Sequence, residues 1–171
     1  MNLFKVLMTV SFIISTFYLG CNPFAPELDT TIGETSSLLG DQRTVEGVFQ
    51  NITHSYQFRD TTLYGQLLDP QFIFVYRDYE RAIDVSWGRD EEMRATYLLF
   101  QNVQRLDLVW NKLVVPDTGQ IPAIVTRNFN LTVTFNPGDI VRADGYAQLT
   151  LMKNQNDSKW YITRWRDESN F

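Results

Sequence analysis

Asn128-Phe129-Asn130-Leu131-Thr132-Val133-Thr134-Phe135, followed by Asn136-Pro137-Gly138-Asp139 and then Ile140 to Met152, decides the fold. Phe129, Leu131, Val133 and Phe135 alternate with polar Asn128, Asn130, Thr132 and Thr134. Such a period of two sends one set of side chains to a core and the other to solvent, which is the pattern of a half-buried strand. Asn-Pro-Gly-Asp is a strong turn signal, so the chain returns along Ile140 to Met152 as the partner of a long hairpin. Asn154 to Ser158 turns it once more, and Trp160 to Asp167 closes an antiparallel sheet. On the amino-terminal side, Leu106, Leu108 and Trp110 alternate with Asp107, Val109 and Asn111 and predict a further strand.

Upstream of these strands the period changes. Val45, Val48, Phe49, Ile52 and Tyr56 recur at helical spacing within Asp41 to Arg59 and form one apolar stripe. Thr61 or Thr62 can cap a short second helix through Leu63, Tyr64, Leu67 and Leu68. Asp69-Pro70 ends it, because a proline disfavours the helical conformation in the residue before it. Phe72 to Tyr76 reads as a short strand. A third helix starts near Arg89, with Asp90, Glu91 and Glu92 placed where negative charge complements the helix dipole. Met93, Tyr97 and Phe100 are expected on its buried side. Helices first and hairpins second make an α+β domain.

The amino-terminus is of another kind. Lys5 is the only charged side chain before Glu27, and Val6 to Leu19 is an apolar run. A positive start, a short apolar stretch and a small residue at the cut define a secretory signal, here residues 1–20. The run is shorter than the ~20 residues that span a bilayer as a helix. Phe17-Tyr18-Leu19-Gly20-Cys21 resembles the lipobox of bacterial lipoproteins, with Tyr18 where a smaller aliphatic residue is usual. The resemblance implies lipid on the thiol of Cys21, the only cysteine of the chain. Membrane attachment through that lipid, on the periplasmic side or at the cell surface, follows. Pro23, Pro26, Thr30-Thr31, Ser36-Ser37 and two glycines make residues 21–40 a tether too polar to form a core. The folded domain is expected over 41–171.

The order of the elements resembles the nuclear transport factor 2-like (NTF2-like, SnoaL-like) superfamily. The helix–Asp60–short helix–Asp69-Pro70–strand opening, the acidic-capped helix from Arg89 and the ending Lys159-Trp160-Tyr161-Ile162-Thr163-Arg164-Trp165 carry the resemblance. It implies three helices closing the mouth of a strongly curved, mostly antiparallel sheet, a cone with a pocket inside. Family members include isomerases, dehydratases, cyclases and pocket proteins without known catalysis, so the fold alone selects no chemistry. Homodimerisation through the sheet is common among them.

The residues narrow the function classes. With 15 basic against 20 acidic side chains and no basic cluster, nucleic acid is not an expected partner. A single histidine, His54, and a single cysteine give no metal set and no histidine-based triad. His54 falls off the apolar stripe and is expected to face solvent. No phosphate-binding glycine loop occurs and no cofactor is expected. The steroid-isomerase branch would place a tyrosine near Ile52 and a carboxylate near Val75 or Tyr76. The nearest such residues, Tyr56 and Asp78, are displaced, which argues against that chemistry. Tyr76, Trp87, Tyr97, Trp110 and Trp165 are the candidate pocket residues. The mixed-charge stretch from Arg77 to Asp90 reads as a solvated loop, and Arg164, Arg166 and Asp167 as cross-strand pairs. Two functions of different class remain. One is non-catalytic binding of a small apolar ligand or a protein partner; the other is a cofactor-free cyclase, dehydratase or isomerase using Asp78 or Asp84 as acid or base.

Overall fold

The computed structural model describes residues 39–115 and 120–169, with the backbone alone described at 112–115. The signal sequence, Cys21 and the tether up to residue 38 lie outside the described residues. Within them the order is α1 (Val45–Phe58), α2 (Thr61–Leu67), β1 (Leu68–Asp78), β2 (Ile83–Gly88), α3 (Arg89–Asn102), β3 (Arg105–Val115), β4 (Ala123–Asn136), β5 (Asp139–Lys153) and β6 (Trp160–Ser169). The strands form one sheet in the order β2-β1-β6-β5-β4-β3. Only the β1–β6 pair is parallel; the others run antiparallel. Three helices on a mostly antiparallel sheet are what the sequence predicts.

Local chemistry explains the boundaries. Thr44 caps α1 by accepting from the Gly47 amide at 3.0 Å, and Arg59 ends it in the left-handed region. Asp60, not Thr61 or Thr62, caps α2, its carboxylate accepting from the Leu63 amide at 2.9 Å. Leu68, Asp69 and Pro70 already belong to β1, so the strand is longer at its start than the sequence suggests. At the β4–β5 turn the Gly138 amide donates to Asn136 Oδ1 at 3.0 Å. That Asn turn fixes the long hairpin whose register runs from Ala123 opposite Leu151 to Asn136 opposite Asp139.

The largest correction concerns residues 83–88. The expected solvated loop is the edge strand β2, paired antiparallel to β1 with Phe74 opposite Trp87 and Arg77 opposite Asp84. Its alternation is short, because only Val85 and Trp87 turn inward while Asp84, Ser86 and Gly88 lie outward.

Bulges bend the sheet. Register shifts between Trp110 and Leu113, between Leu113 and Val115, and between Leu68 and Ile73 break the regular ladder near both ends; such irregularities increase local twist. The concave face so formed receives α1. Val48, Phe49 and Ile52 are fully buried against Val125, Leu149, Leu151 and Ile162, and Tyr64 and Leu67 of α2 join them. A smaller cluster of Phe100, Val103, Leu106 and Val133 seats the end of α3.

The chain is pinned just ahead of α1. Gly40 and Asn51 exchange two hydrogen bonds, at 2.7 and 2.9 Å, and Gln42 bonds the backbone of Trp160 in both directions, each at 2.9 Å. Gly47 permits this crossing, since a Cβ there would stand 1.9 Å from the carbonyl oxygen of Asp41.

Candidate functional site

The cavity lies between the concave face of the sheet and α3, with a volume of about 380 Å³, at the small end of ordinary ligand pockets. Strand alternation supplies its walls. Phe74 and Tyr76 of β1 sit beside Trp165 and Asp167 of β6, and Trp87 of β2 faces Phe74 across the edge. Trp110 of β3 and Phe129 of β4 form the far wall. Tyr56 of α1 and Ala95, Thr96 and Leu99 of α3 form the roof.

The aromatic rings brace one another. Phe74 and Trp87 stack with centroids 4.6 Å apart and planes 14° from parallel. Trp110 meets Phe49 edge to face at 5.0 Å and stands 6.1 Å from Trp165. Such pairs add roughly 0.5–1.5 kcal/mol each beyond their area, so these walls are held by contact with a packed core.

A buried carboxylate lies among them. Glu92, only 5% exposed, accepts from Tyr64 at 2.7 Å, from the Trp87 indole at 2.7 Å and from Thr96 at 3.2 Å. Burial is the main reason the Tyr64 hydroxyl is held far above its ordinary titration range, with Tyr56 and Glu92 adding to it. Tyr56 is pushed up likewise, first by burial and then by the charges of Glu92 and Asp167. Neither phenol is a ready proton donor near neutrality.

Asp167 differs from Glu92. One of its oxygens is buried without a hydrogen-bond partner, while Ser169 bonds the carboxylate. Its titration is shifted upward, chiefly by burial. The indole nitrogens of Trp110 and Trp165 are also buried and unpaired. A buried unpaired polar group costs about 1–3 kcal/mol, and three of them fall on residues lining one cavity.

Of the candidate pocket residues, Tyr76, Trp87, Trp110 and Trp165 line this cavity. Tyr97 does not. It is 51% exposed, because the inner face of α3 carries Glu92, Thr96 and Phe100 rather than the Met93–Tyr97–Phe100 stripe; Met93 packs part-buried at the margin of the core. Asp78 and Asp84 do not reach the cavity either. Asp78 accepts from the Arg81 amide in the β1–β2 turn. Asp84 bridges Arg77 at 3.0 Å and Arg166 at 2.9 Å on the outer face of the sheet, and these arginines, Arg166 foremost, lower its titration. His54 is half-buried and stacked on Phe58 rather than free in solvent. Asp167, expected to form a cross-strand pair, faces inward. Its signal was present in the sequence, since alternation with Arg166 and Glu168 puts it on the same side as Trp165. Glu92 carried no such signal, because acidic residues in a first helical turn are ordinary. Among the described residues no three His, Cys, Asp or Glu side chains stand together as a metal set.

A cone of sheet closed by helices around one aromatic cavity defines a class of small pocket-bearing α+β domains. The chain has the NTF2-like fold. It is similar to a conserved protein from Planctomyces limnophilus, with a TM-score of 0.60 at 14% identity, over 74% of this chain and 93% of that one. Nuclear transport factor 2 from Cryptosporidium parvum gives a TM-score of 0.55 at 15% identity, over 77% and 98% of the two chains. A candidate dehydratase of the NTF2-like family from Streptomyces avermitilis gives 0.57 at 17%, over 71% and 90%. The sequence itself matches no family model and no curated protein.

The burial of Asp167 makes a pH prediction. A carboxyl whose folded pKa lies above its unfolded value binds its proton more tightly in the folded state. Its contribution favours folding below the unfolded value of about 3.9 and is lost as pH rises through the higher folded value. Asp167→Asn removes the charge that must be buried above that window. The variant is expected to be more stable than the native protein at pH near 7, with the gain shrinking towards pH near 4. Urea denaturation at the two pH values measures it; a variant equally destabilised at both contradicts this account.

Proposed function

We propose that this chain is an exported, lipid-anchored protein of the bacterial cell envelope whose NTF2-like domain binds a small, largely apolar ligand in its cavity without transforming it. The aromatic cavity between the sheet and α3 is the observation that carries the binding half. Rings of Phe74, Tyr76, Trp87 and Trp110 offer apolar contact, and Asp167 stands among the lining residues as a polar group. Against catalysis stand the three donors already committed to Glu92 and the upward-shifted tyrosines. General acid–base catalysis works best with groups that titrate near the working pH.

The second reading, a cofactor-free acid–base enzyme, is favoured by Asp167 alone, a carboxylate with an upward-shifted titration at the cavity wall. Asp78 and Asp84 no longer support it. The export and anchoring half rests on residues 1–21 of the sequence, where the apolar run and Cys21 resemble a lipoprotein signal. The assembly expected from the fold is a homodimer through the outer sheet face, where Ile124, Tyr146 and Met152 remain between 41% and 47% exposed.

Binding is tested with the neutral dye N-phenylnaphthylamine, whose emission rises in apolar surroundings. The native protein is expected to enhance it, and Ala95→Trp, which places an indole in the cavity roof, to weaken binding about tenfold or more, roughly 1.4 kcal/mol. Equal enhancement by both proteins would place the dye elsewhere and remove the support for a binding cavity. For the anchor, Cys21→Ser is expected to abolish incorporation of labelled fatty acid and to release the protein from membranes; continued membrane attachment refutes lipid anchoring. Light scattering on the released protein is expected to return a dimer mass, and a monomer mass rejects the sheet-mediated pair.

A further inference from the structure

The charge of the cavity narrows the ligand class. Among its lining residues the only ionisable acids below the tyrosines are Glu92 and Asp167, and no Lys, Arg or His stands with them. The cationic neighbours on β6 are turned away by strand alternation: Arg166 points to the outer face, where Asp84 and Glu168 hold it at 2.9 and 2.6 Å. The donors on Glu92 are two hydroxyls and an indole N–H, all neutral, so they solvate its charge without cancelling it.

Three classes of occupant can be compared. An anion would enter a low-dielectric space already holding carboxylates, where like-charge repulsion is weakly screened. A hydrocarbon would fill the apolar volume but leave Asp167 with no counter-charge among the lining residues. An organic cation supplies both the apolar body and the counter-charge. Its charge faces Asp167, and the ring faces of Phe74, Tyr76, Trp87 and Trp165 carry the negative side of the aromatic quadrupole that attracts cations.

We infer that the cavity selects a compact organic ammonium bearing an aromatic or aliphatic body, with Asp167 as its counter-charge. The inference rests on the binding reading above and adds charge selectivity to it.

Three near-isosteric probes test it through the intrinsic tryptophan fluorescence of the full protein, because three of its four tryptophans line the cavity. They are phenoxyethylammonium, neutral propoxybenzene and anionic phenoxyacetate. The ammonium is expected to bind about tenfold more tightly than propoxybenzene, and phenoxyacetate more weakly than either. In Asp167→Asn the ammonium is expected to lose about tenfold in affinity while propoxybenzene is unchanged. Equal affinity for ammonium and propoxybenzene, or a preference for phenoxyacetate, overturns the charge selectivity and leaves an apolar binding cavity standing. Failure of all three probes to bind, together with failure of the neutral dye, overturns the binding reading itself.

Discussion

Three elements meet at one carboxylate. Glu92 of α3 takes a hydrogen bond from Tyr64 of α2, another from Trp87 of β2 and a third from Thr96 within its own helix. Burying a charge costs several kcal/mol even after relaxation, and hydrogen bonds to a charged group contribute about 1.5–3 kcal/mol each. With all three formed the two magnitudes are comparable, so the arrangement is tolerable complete and costly when any donor is missing. What the cluster supplies is position. It sets the roll of α3 over the sheet and fixes the Trp87 ring against Phe74, and those two rings are one wall of the cavity.

The cavity in turn is bounded by what α1 and α3 place over the sheet. Under α1 the concave face is filled by Val48, Phe49 and Ile52, all fully buried. Under α3 the roof is Ala95 and Thr96, too short to reach the floor of Trp110, Phe129 and Trp165. The space is partly open to solvent, so water fills it where no ligand does.

How far the sequence shows this depends on the residues concerned. The long hairpins are legible because Phe129, Leu131, Val133 and Phe135 keep strict alternation beside an Asn-Pro-Gly-Asp turn. α1 is legible because its stripe faces a filled core. Legibility fails along the cavity. β2 reads as a loop because Asp84, Ser86 and Gly88 on the outer positions leave only Val85 and Trp87 to mark its inner face. The inner face of α3 is misplaced by about one residue, 100° of helical rotation, because the buried positions hold Glu92 and Thr96 while aromatic Tyr97 lies outside. A site needs polar groups where a core would have apolar ones, so hydrophobic periodicity is least informative where function is placed.

β6 shows how the inner and outer chemistry are kept apart. Trp165 and Asp167 face the cavity, while Arg164, Arg166 and Glu168 alternate to the other side. A register slip of one residue would bring the arginines inward and invert the charge of the site. Against that slip stands the parallel pairing of Phe74 with Trp165 and Tyr76 with Asp167, together with the ion pairs that join Arg166 to Asp84 and Glu168. Exposed ion pairs of this kind add little to stability, about 0–1 kcal/mol each. Their consequence here is geometric: Asp84 spans from β2 to β6 across β1, and the same contacts that remove it as an acid for catalysis hold Asp167 at the cavity wall.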